Sequence, residues 1–210
     1  MRTKIWIDNG HGCDTPGKCS PDMRLREFEW CREVAAALVD MLQVNGYDAA
    51  LLVPERNDVS IKNRCLRVNR TCVERGADKV LLVSIHINAA ASDWNWHEPH
   101  YWSAWVYRQE QRDKNGKVIW VREASRESKR LAALLVEAAR CNGWKTSGSP
   151  YKEKNLGILR ETLCPAVLTE NFFQDNRQCV DYLLTAEAKT AAVLAHFNAI
   201  AQYLQEKEEH

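Results

Sequence analysis

Two kinds of apolar pattern alternate along the chain: short β-rich runs and longer stretches with apolar residues at helical spacing. Lys4–Asp8 is a β-rich run that ends at the turn signal Asn9-Gly10. Lys79–His86 is almost entirely apolar, which is typical of a parallel strand covered on both faces. Between them, the spacing predicts a helix from about Arg24 to Asn45-Gly46. The same patterns predict further strands at Ala49–Val53, Ser103–Tyr107, Lys117–Val121, Gly157–Arg160 and Ala166–Glu170, and further helices from Asp58 as N-cap to about Glu74 and over about Ala124–Cys141, Gln178–Leu183 and Glu187–Gln205.

This alternation predicts an α/β fold, a three-layer domain with a mainly parallel twisted sheet flanked by helices. The chain has 210 residues and shows neither an internal repeat nor a long linker, so a single domain over residues 1–210 is expected. A segment at about 93–121 departs from this alternation of strands and helices, and it is dense in Trp and Tyr. Asn115-Gly116, between two β-like runs, predicts a β-hairpin insert there.

Charge and composition narrow the classes of partner. The formal net charge of +1 provides no field that would hold a polyanion, so we expect no nucleic-acid partner. No apolar run approaches the ~20 residues that cross a bilayer, so we expect no membrane span, and we expect a monomer. The N-terminus lacks the pattern of a signal peptide, which fits either a protein made in the cytoplasm or an exported one whose leader was removed. The eight cysteines are expected to be mostly free thiols, with Cys13 and Cys19 as the exceptions to consider.

Polar side chains suited to metal or proton chemistry follow three of the predicted strands. His11 follows the first strand, His86 ends the third, and Glu170 ends the last. In sheets of this kind, ligands bind outside the carboxyl ends of the strands, so these three side chains are expected on one rim. Glu27 lies at the start of the helix that the first loop enters, and it can reach the same rim.

Two histidines and one carboxylate are a suitable ligand set for a catalytic zinc, and they leave a fourth position for water. Zinc lowers the pKa of that water to about 7, and a further carboxylate must take the proton and pass it to the leaving amine. Glu170 has the right type and placement. A lone histidine after a strand is more often a turn residue, and such a glutamate is more often part of an ion pair. Position alone therefore leaves both interpretations open. Of the other histidines, His97 and His100 are expected to be exposed or to line the substrate, and His196 to be a packing residue.

Five segments occur in a specific order over about Ile5–Leu204: IDNGHG, a following Glu, Arg64 with Asn69, SIHINA and LTENFFQDN. Together they resemble the zinc-dependent N-acetylmuramoyl-L-alanine amidases of the amidase-3 type. The resemblance implies a phosphorylase/hydrolase-like fold, a Zn²⁺ ion held by two His and one Glu, and a catalytic Glu after the last strand. It also implies cleavage of the bond between N-acetylmuramic acid and L-alanine in peptidoglycan, so that peptidoglycan or a muramyl peptide is the expected partner.

Carried over residue by residue, the resemblance implies that His11 and His86 are metal ligands and that Glu170 is catalytic. Phe173 and Asn176 match the Phe and Asn of the family's closing segment. For the remaining ligand, both Glu27 and Glu29 qualify by type. The family's distances from its Glu to a helical Leu and to the Gly after the helix fit Glu27, which we choose, with Glu29 in reserve.

The remaining assignments concern substrate. Asn88, Arg160 and Trp102 are predicted to contact it. The chain departs from the family in its first turn, HGCDTPGK, which lacks a diglycine, and in the long aromatic segment Asp93–Val121. That segment has two interpretations, a small satellite core under a hairpin or a wall of the cleft whose aromatic faces stack on sugars.

Three functions compete at this stage. The first is the amidase, acting either as a phage-type lysin or as a remodelling enzyme. The second is a zinc hydrolase of another amide substrate, a peptidase or a deacylase, because the same water chemistry would serve. The third is a binding module that keeps the fold without catalysis, which the presence of all four key residues disfavours.

Overall fold

A computed structural model describes residues 2–147 and 150–209 of the chain. Strands and helices alternate along it as the apolar pattern predicts. In chain order the elements are β1 (Lys4–Asn9), α1 (Glu27–Val44), β2 (Asp48–Leu51), α2 (Ile61–Arg75), β3 (Val80–Asn88), β4 (Ser103–Arg112), β5 (Val118–Glu123), α3 (Arg126–Cys141), β6 (Lys152–Lys154), α4 (Gly157–Arg160), β7 (Ala166–Phe173), α5 (Arg177–Leu183) and α6 (Ala186–Glu208).

The strands form one mixed sheet in the order β2-β1-β3-β7-β4-β5, with β6 pairing to β4. Strands β2, β1, β3 and β7 are parallel, whereas β4 runs antiparallel to β7. Helices α1, α3 and α6 pack on one face and α2 and α4 on the other. The predicted three-layer α/β fold with a mainly parallel sheet is therefore confirmed.

The central strand β3 explains why the sheet needs helices on both faces. Its residues Val80–Ile85 are all buried, and they alternate between the two apolar clusters. Leu81 and Val83 face the cluster under α1 and α6, and Leu82 faces the cluster under α2. An all-apolar strand of this kind is stable only when both of its faces are covered.

Three local predictions were wrong. Gly157–Arg160 was predicted as a strand and is the short helix α4, in which the Glu161 N–H donates to the Gly157 carbonyl. A four-residue apolar run fits the periodicity of a helix as well as that of a strand, so tertiary packing determines which of the two forms. Lys152–Lys154, which is not among the predicted strands, pairs with β4. The N-cap of α2 is Ser60 and not Asp58, because the Ser60 hydroxyl accepts from Asn63 N–H.

The predicted hairpin is present, and its direction separates it from the rim of the sheet. Ser103 of β4 pairs with Glu170 at the carboxyl end of β7, and Trp105 pairs with Leu168. Because the two strands are antiparallel, β4 leads away from that end, and its turn at Asn115-Gly116 lies far from it. Strand β5 is largely exposed. The distal hairpin is therefore neither a covered core nor a wall of the cleft.

Two further expectations concern cysteines and membranes. All eight cysteines are free thiols, including Cys13 and Cys19, as the prediction of mostly free thiols requires. Among the helices of the described residues, none has both the length and the apolar character needed to cross a bilayer.

Arg64 of α2 ties that helix to the end of β1. Its side chain is 2% exposed. One Nη donates to the Asp8 carboxylate at 2.6 Å and to the Asn9 carbonyl at 2.8 Å. The other Nη donates to the Asp58 carboxylate at 2.7 Å and to the His11 carbonyl at 3.4 Å. Arg64 therefore holds the turn that carries His11, and it balances the buried charge of Asp8.

His196 of α6 is a buried packing residue, as expected. Nδ1 lies 2.7 Å from the Ala192 carbonyl and Nε2 lies 2.9 Å from the Thr169 hydroxyl. The carbonyl can only accept, so Nδ1 carries the proton and Nε2 accepts from the hydroxyl of Thr169. Burial lowers the pKa of His196 to about 4. The imidazole is therefore neutral in the folded protein at neutral pH.

Replacing Arg64 with Met should lower the free energy of unfolding by about 3–5 kcal/mol, because it leaves the Asp8 carboxylate buried without a cation. The measurement is urea denaturation at pH 7. Arg70→Met, an exposed change on the same helix, is the matched control and should cost no more than about 0.5 kcal/mol. Adding Asp8→Asn to Arg64→Met should recover part of the loss. A loss no larger than that of the control would contradict the role given to Arg64.

The lowered pKa of His196 predicts an acid sensitivity. The unfolded chain takes up this proton near pH 6.5 and the folded protein only near pH 4, so the stability that His196 contributes is lost as pH falls through this window. His196→Gln should flatten the pH dependence of the free energy of unfolding between these values by up to about 3 kcal/mol. The exposed His100→Gln variant serves as control and should keep the wild-type slope. Equal slopes in all three proteins would refute the prediction.

Candidate metal centre

The turn after β1 positions His11. The Gly10 N–H donates to the Ile85 carbonyl of β3 at 2.9 Å, so the turn stays beside that strand. His11 itself has φ +60°, in the left-handed region that non-glycine residues adopt only at a cost of about 1–3 kcal/mol. The hydrogen bond from Arg64 to the His11 carbonyl helps to hold this conformation. The strained backbone therefore turns the imidazole toward the rim of the sheet.

Glycines on both sides of His11 allow the close packing of this turn. A β-carbon on Gly10 would lie 2.6 Å from Nδ1 of His86. A β-carbon on Gly12 would lie 2.0 Å from the backbone nitrogen of Asp58. Neither contact is possible, so the two glycines let the turn approach the His86 ring and the loop before α2.

The structure brings together His11, Glu27 and His86. One ligand atom from each lies within 4.8 Å of the others. Glu27 Oε1 is 3.0 Å from His86 Nδ1 and 3.6 Å from His11 Nε2. The two imidazole rings are perpendicular, with centroids 5.0 Å apart. This convergence of residues from three separate segments could hold one metal ion.

Helix α1 places Glu27 at its first residue, in the interior of the protein. The Glu27 N–H donates to the Lys18 carbonyl, and Oε1 accepts from the Ile87 N–H at 3.0 Å. Oε2 is buried and has no hydrogen-bond partner among the described residues. Glu29, the reserve choice, is exposed and lies 3.7 Å from Arg26. The geometry therefore supports Glu27.

Electrostatics favour a neutral His11 and an ionised Glu27. Burial is the main cause that lowers the pKa of His11 to about 4, although Glu27 opposes it. Burial is the largest influence on Glu27 and opposes its ionisation, but the hydrogen bond and charge of His86, together with the charges of His11 and Lys18, outweigh burial and lower the pKa of Glu27. Burial likewise disfavours a charged His86, yet Glu27 raises its pKa overall. Glu27 and His86 therefore share a proton that a bound cation would displace.

Glu170 lies next to this group, because β7 pairs with β3 so that Glu170 is opposite His86. Burial raises the pKa of Glu170 to about 7, with the charge of Glu27 adding to the rise and that of His86 opposing it. Its Oε2 is buried and has no hydrogen-bond partner among the described residues. A carboxyl group that titrates near neutral pH can both take and return a proton.

Trp102 is not a substrate contact, and that prediction is corrected. Its side chain is fully buried. Its Nε1 donates to the Asn171 side-chain oxygen at 2.8 Å, and the Asn171 amide donates to the His86 carbonyl at 2.9 Å. Trp102 therefore supports the backbone of a candidate ligand from the interior. Burial at this position could not be inferred from an aromatic-rich stretch alone.

The closing segment of β7 is structural beyond Glu170. Phe173 is buried against Tyr101, with ring centroids 4.8 Å apart. Asn176 caps α5, because its side-chain oxygen accepts from the Cys179 N–H, and its amide donates to the His97 carbonyl. The segment thus links β7 to the residues that follow β3.

Asn88 and Arg160 remain predicted substrate contacts. Asn88 ends β3 at the same rim, where its side-chain oxygen accepts from the Ala89 N–H. Arg160 lies on α4 and is exposed, and its guanidinium donates to Glu161 and Asn155. His97 and His100 lie outside the ligand group, in agreement with the expectation for them.

Sequence reasoning missed Asn171, which supports the backbone of His86, and two lysines whose charges reach Glu170. Asn171 follows Glu170 directly, so strand alternation could have assigned it to the opposite face. Lys18, in the loop after β1, and Lys154, in β6, both have charges that reach Glu170. No pattern in the sequence marks these lysines, because their position depends on how a loop and a short strand are packed.

Comparisons with known proteins point to one family. The sequence profile of the Amidase_3 family, described as N-acetylmuramoyl-L-alanine amidase, matches residues 5–202. The N-acetylmuramoyl-L-alanine amidase CwlM of Bacillus licheniformis is 28% identical over 201 residues, covering 95% of this chain and 68% of that protein. An endolysin of Bacillus phage SPP1 is 24% identical over 207 residues, covering 99% of this chain and 68% of that protein.

Solved structures show the same fold. The N-acetylmuramoyl-L-alanine amidase of Clostridium difficile 630 superposes with a TM-score of 0.76 at 24% identity, covering 98% of each chain. The catalytic domain of the amidase CwlV from Bacillus (Paenibacillus) polymyxa var. colistinus has a TM-score of 0.75 at 19% identity, covering 97% of this chain and 98% of that one. Because the family profile matches nearly the whole sequence, this chain belongs to the Amidase_3 family of N-acetylmuramoyl-L-alanine amidases.

Proposed function

We propose that His11, Glu27 and His86 bind Zn²⁺ and that residues 1–210 form a catalytic domain, which hydrolyses the amide bond between N-acetylmuramic acid and L-alanine in peptidoglycan. One observation carries this proposal. Two imidazoles and a buried carboxylate from three distant segments converge within 4.8 Å, with a fourth side chain, Glu170, beside them. A peptidase or deacylase activity would use the same groups, so the product analysis described below separates them.

The residues present fit a zinc ion. Nitrogen and carboxylate oxygen are preferred zinc ligands, and three protein ligands leave a position for water. The buried Oε2 of Glu27 has no other partner among the described residues, which a bound cation would supply. The lowered pKa of His11 leaves its imidazole neutral, with a lone pair available at neutral pH. When bound, zinc supplies Lewis acidity, which acidifies water and polarises a carbonyl.

Glu170 performs the proton transfers in this proposal. In its ionised form it takes a proton from the attacking water, and it then returns that proton to the nitrogen of the departing L-alanine. A group with a pKa of about 7 is suited to both steps, since neither form is strongly favoured at neutral pH. Asn171 and Trp102 hold the backbone of His86 and keep this ligand beside Glu170.

The names of the relatives support a role in the cell wall. CwlM is named an N-acetylmuramoyl-L-alanine amidase, and the SPP1 protein is named an endolysin. We propose peptidoglycan or a muramyl peptide as the substrate of this chain. A phage-type lysin and a remodelling enzyme are both consistent with that chemistry.

Glu170→Gln should lower kcat for the release of L-alanine-terminated peptides by about 10²-fold to 10⁴-fold, because the amide cannot accept the proton. Zinc content should stay at the wild-type level. Activity is measured on purified sacculi, with mass spectrometry to detect new L-alanine amino groups on intact glycan. Glu161→Gln, an exposed change just beyond α4, is the control and should keep full activity.

Wild-type turnover in Glu170→Gln would remove this residue from the mechanism. New amino groups on any other residue of the peptide, with none on L-alanine, would instead favour the peptidase alternative.

Glu27→Gln should weaken zinc binding at least about tenfold, because changes to residues that only support a ligand already cost that much. Glu29→Gln is a close control, since it removes a carboxylate two positions away that faces Arg26. Metal content after dialysis against graded chelator, measured by plasma mass spectrometry, reports the affinity. The opposite ranking of the two variants would transfer the ligand assignment to Glu29.

A further inference from the structure

Three lysines near the metal centre have no carboxylate partner among the described residues. Elsewhere, ion pairs are common: Lys4 pairs with Asp48, Lys129 with Glu123 and Lys189 with Glu33. In contrast, within residues 2–147 and 150–209 the structure gives no acidic group within ion-pair distance of Lys18, Lys152 or Lys154. Their charges are therefore free to meet an anion from outside the protein.

Lys18 is fixed on the β1 side of the centre. Its carbonyl accepts from the Glu27 N–H at 2.9 Å, so its backbone adjoins a metal ligand. The neighbouring Gly17 carbonyl accepts from the Gln174 side chain at 3.1 Å, which anchors the loop to the segment after β7. The Lys18 side chain is only partly exposed. A half-buried ammonium group without a counter-charge favours an incoming anion.

Lys152 and Lys154 approach from the other side of β7. Strand β6 pairs with β4, with Lys152 opposite Trp105 and Lys154 opposite Tyr107, whereas Ser103 at the start of β4 pairs with Glu170. The Trp105 indole, which both ammonium groups contact, extends back to the Ser103 hydroxyl, to which its Nε1 donates. The Lys152 ammonium is engaged by Tyr101, whose hydroxyl accepts from it at 3.0 Å and whose ring centroid is 4.5 Å away. Lys154 has a looser contact, 5.7 Å from the centroid of Trp105. Lys154 is therefore the freer of the two.

Both free lysines act on the same catalytic carboxyl group. Burial is the main influence on the pKa of Glu170 and raises it, while the charges of Lys18 and Lys154 act to lower it. Glu153, the acidic neighbour of Lys154, is occupied by Arg108 at 3.4 Å. The cleft thus has an unbalanced positive charge on each side of Glu170. When Zn²⁺ is bound, the single ligand carboxylate, Glu27, would not neutralise its two positive charges.

We propose that Lys18 and Lys154 make the cleft selective for an acidic stem peptide, one whose glutamate next to L-alanine carries a free α-carboxylate. This inference rests on the proposed function. In an extended peptide consecutive Cα atoms are about 3.8 Å apart, so the second residue lies close enough to the scissile bond for a lysine side chain at the edge of the cleft to reach it. A carboxamide at the same position has the same shape without the charge. The two lysines therefore distinguish free from amidated stems.

The test uses two soluble, uncross-linked peptidoglycan fragments that differ only in whether this glutamate carries a carboxylate or a carboxamide. The zinc-loaded wild-type protein should hydrolyse the acidic fragment with a kcat/KM roughly fivefold higher, the value of one or two partly exposed ion pairs. Lys18→Met with Lys154→Met should abolish this preference by raising KM for the acidic fragment relative to the amidated one, while any change in kcat is the same for both fragments. Replacement of both lysines by Arg should retain the preference.

Two controls sharpen the result. Lys114→Met, in the hairpin turn remote from the centre, should keep the wild-type preference. Raising the salt concentration should shrink the preference in the wild type and leave the double Met variant unaffected, because salt screens exposed charges.

Equal hydrolysis of both fragments by the wild-type protein would overturn the inference and leave the proposed function intact. So would a preference that survives the double Met variant, or one that is lost because kcat falls for the acidic fragment alone. Failure of the zinc-loaded protein to cleave either fragment would overturn the proposed function together with the inference.

Discussion

The buried carboxylate of Glu27 is the constraint on which the rest of the site depends. A negative charge in the interior must be balanced, or the group loses its charge. Here Oε1 is met by the Ile87 N–H and by His86, while Oε2 has no partner among the described residues. The fold places the His86 imidazole at hydrogen-bonding distance from this carboxylate and the His11 imidazole slightly farther away. A bound cation would complete the set of partners of the carboxylate.

Around this carboxylate, each ligand is held by interactions that the chemistry itself does not use. Arg64 fixes the turn of His11 and balances Asp8. Asn171 holds the backbone of His86, and Trp102 in turn holds Asn171. These supports come from α2, from β7 and from the residue just before β4, so three separate segments position the ligands. The Lys18 carbonyl also accepts from the Glu27 N–H, while the side chains of Lys18 and Lys154 add charge.

Much of the fold and the core of the site could be predicted from the sequence, because apolar periodicity is strong in β3 and parallel strands end on a shared rim. That rule placed His86 and Glu170 on one rim of the sheet without coordinates. It failed where the pattern is short or the context decides. The run Gly157–Arg160 fits a strand or a helix turn, and the burial of Trp102 depends on packing against Trp144 and His196. The choice of Glu27 over Glu29 came from resemblance, and burial supports it.

Because β4 runs antiparallel to β7, the molecule has two regions that differ in how well they tolerate changes in sequence. From Ser103 onward the chain runs away from the ligands, and β5 hydrogen-bonds only to the far half of β4. Insertions or substitutions at the tip around Asn115-Gly116 leave every backbone hydrogen bond between β1, β3 and β7 in place. The hairpin can therefore accumulate mutations, or acquire a new binding surface, without a change in the ligand group at the other end of the sheet.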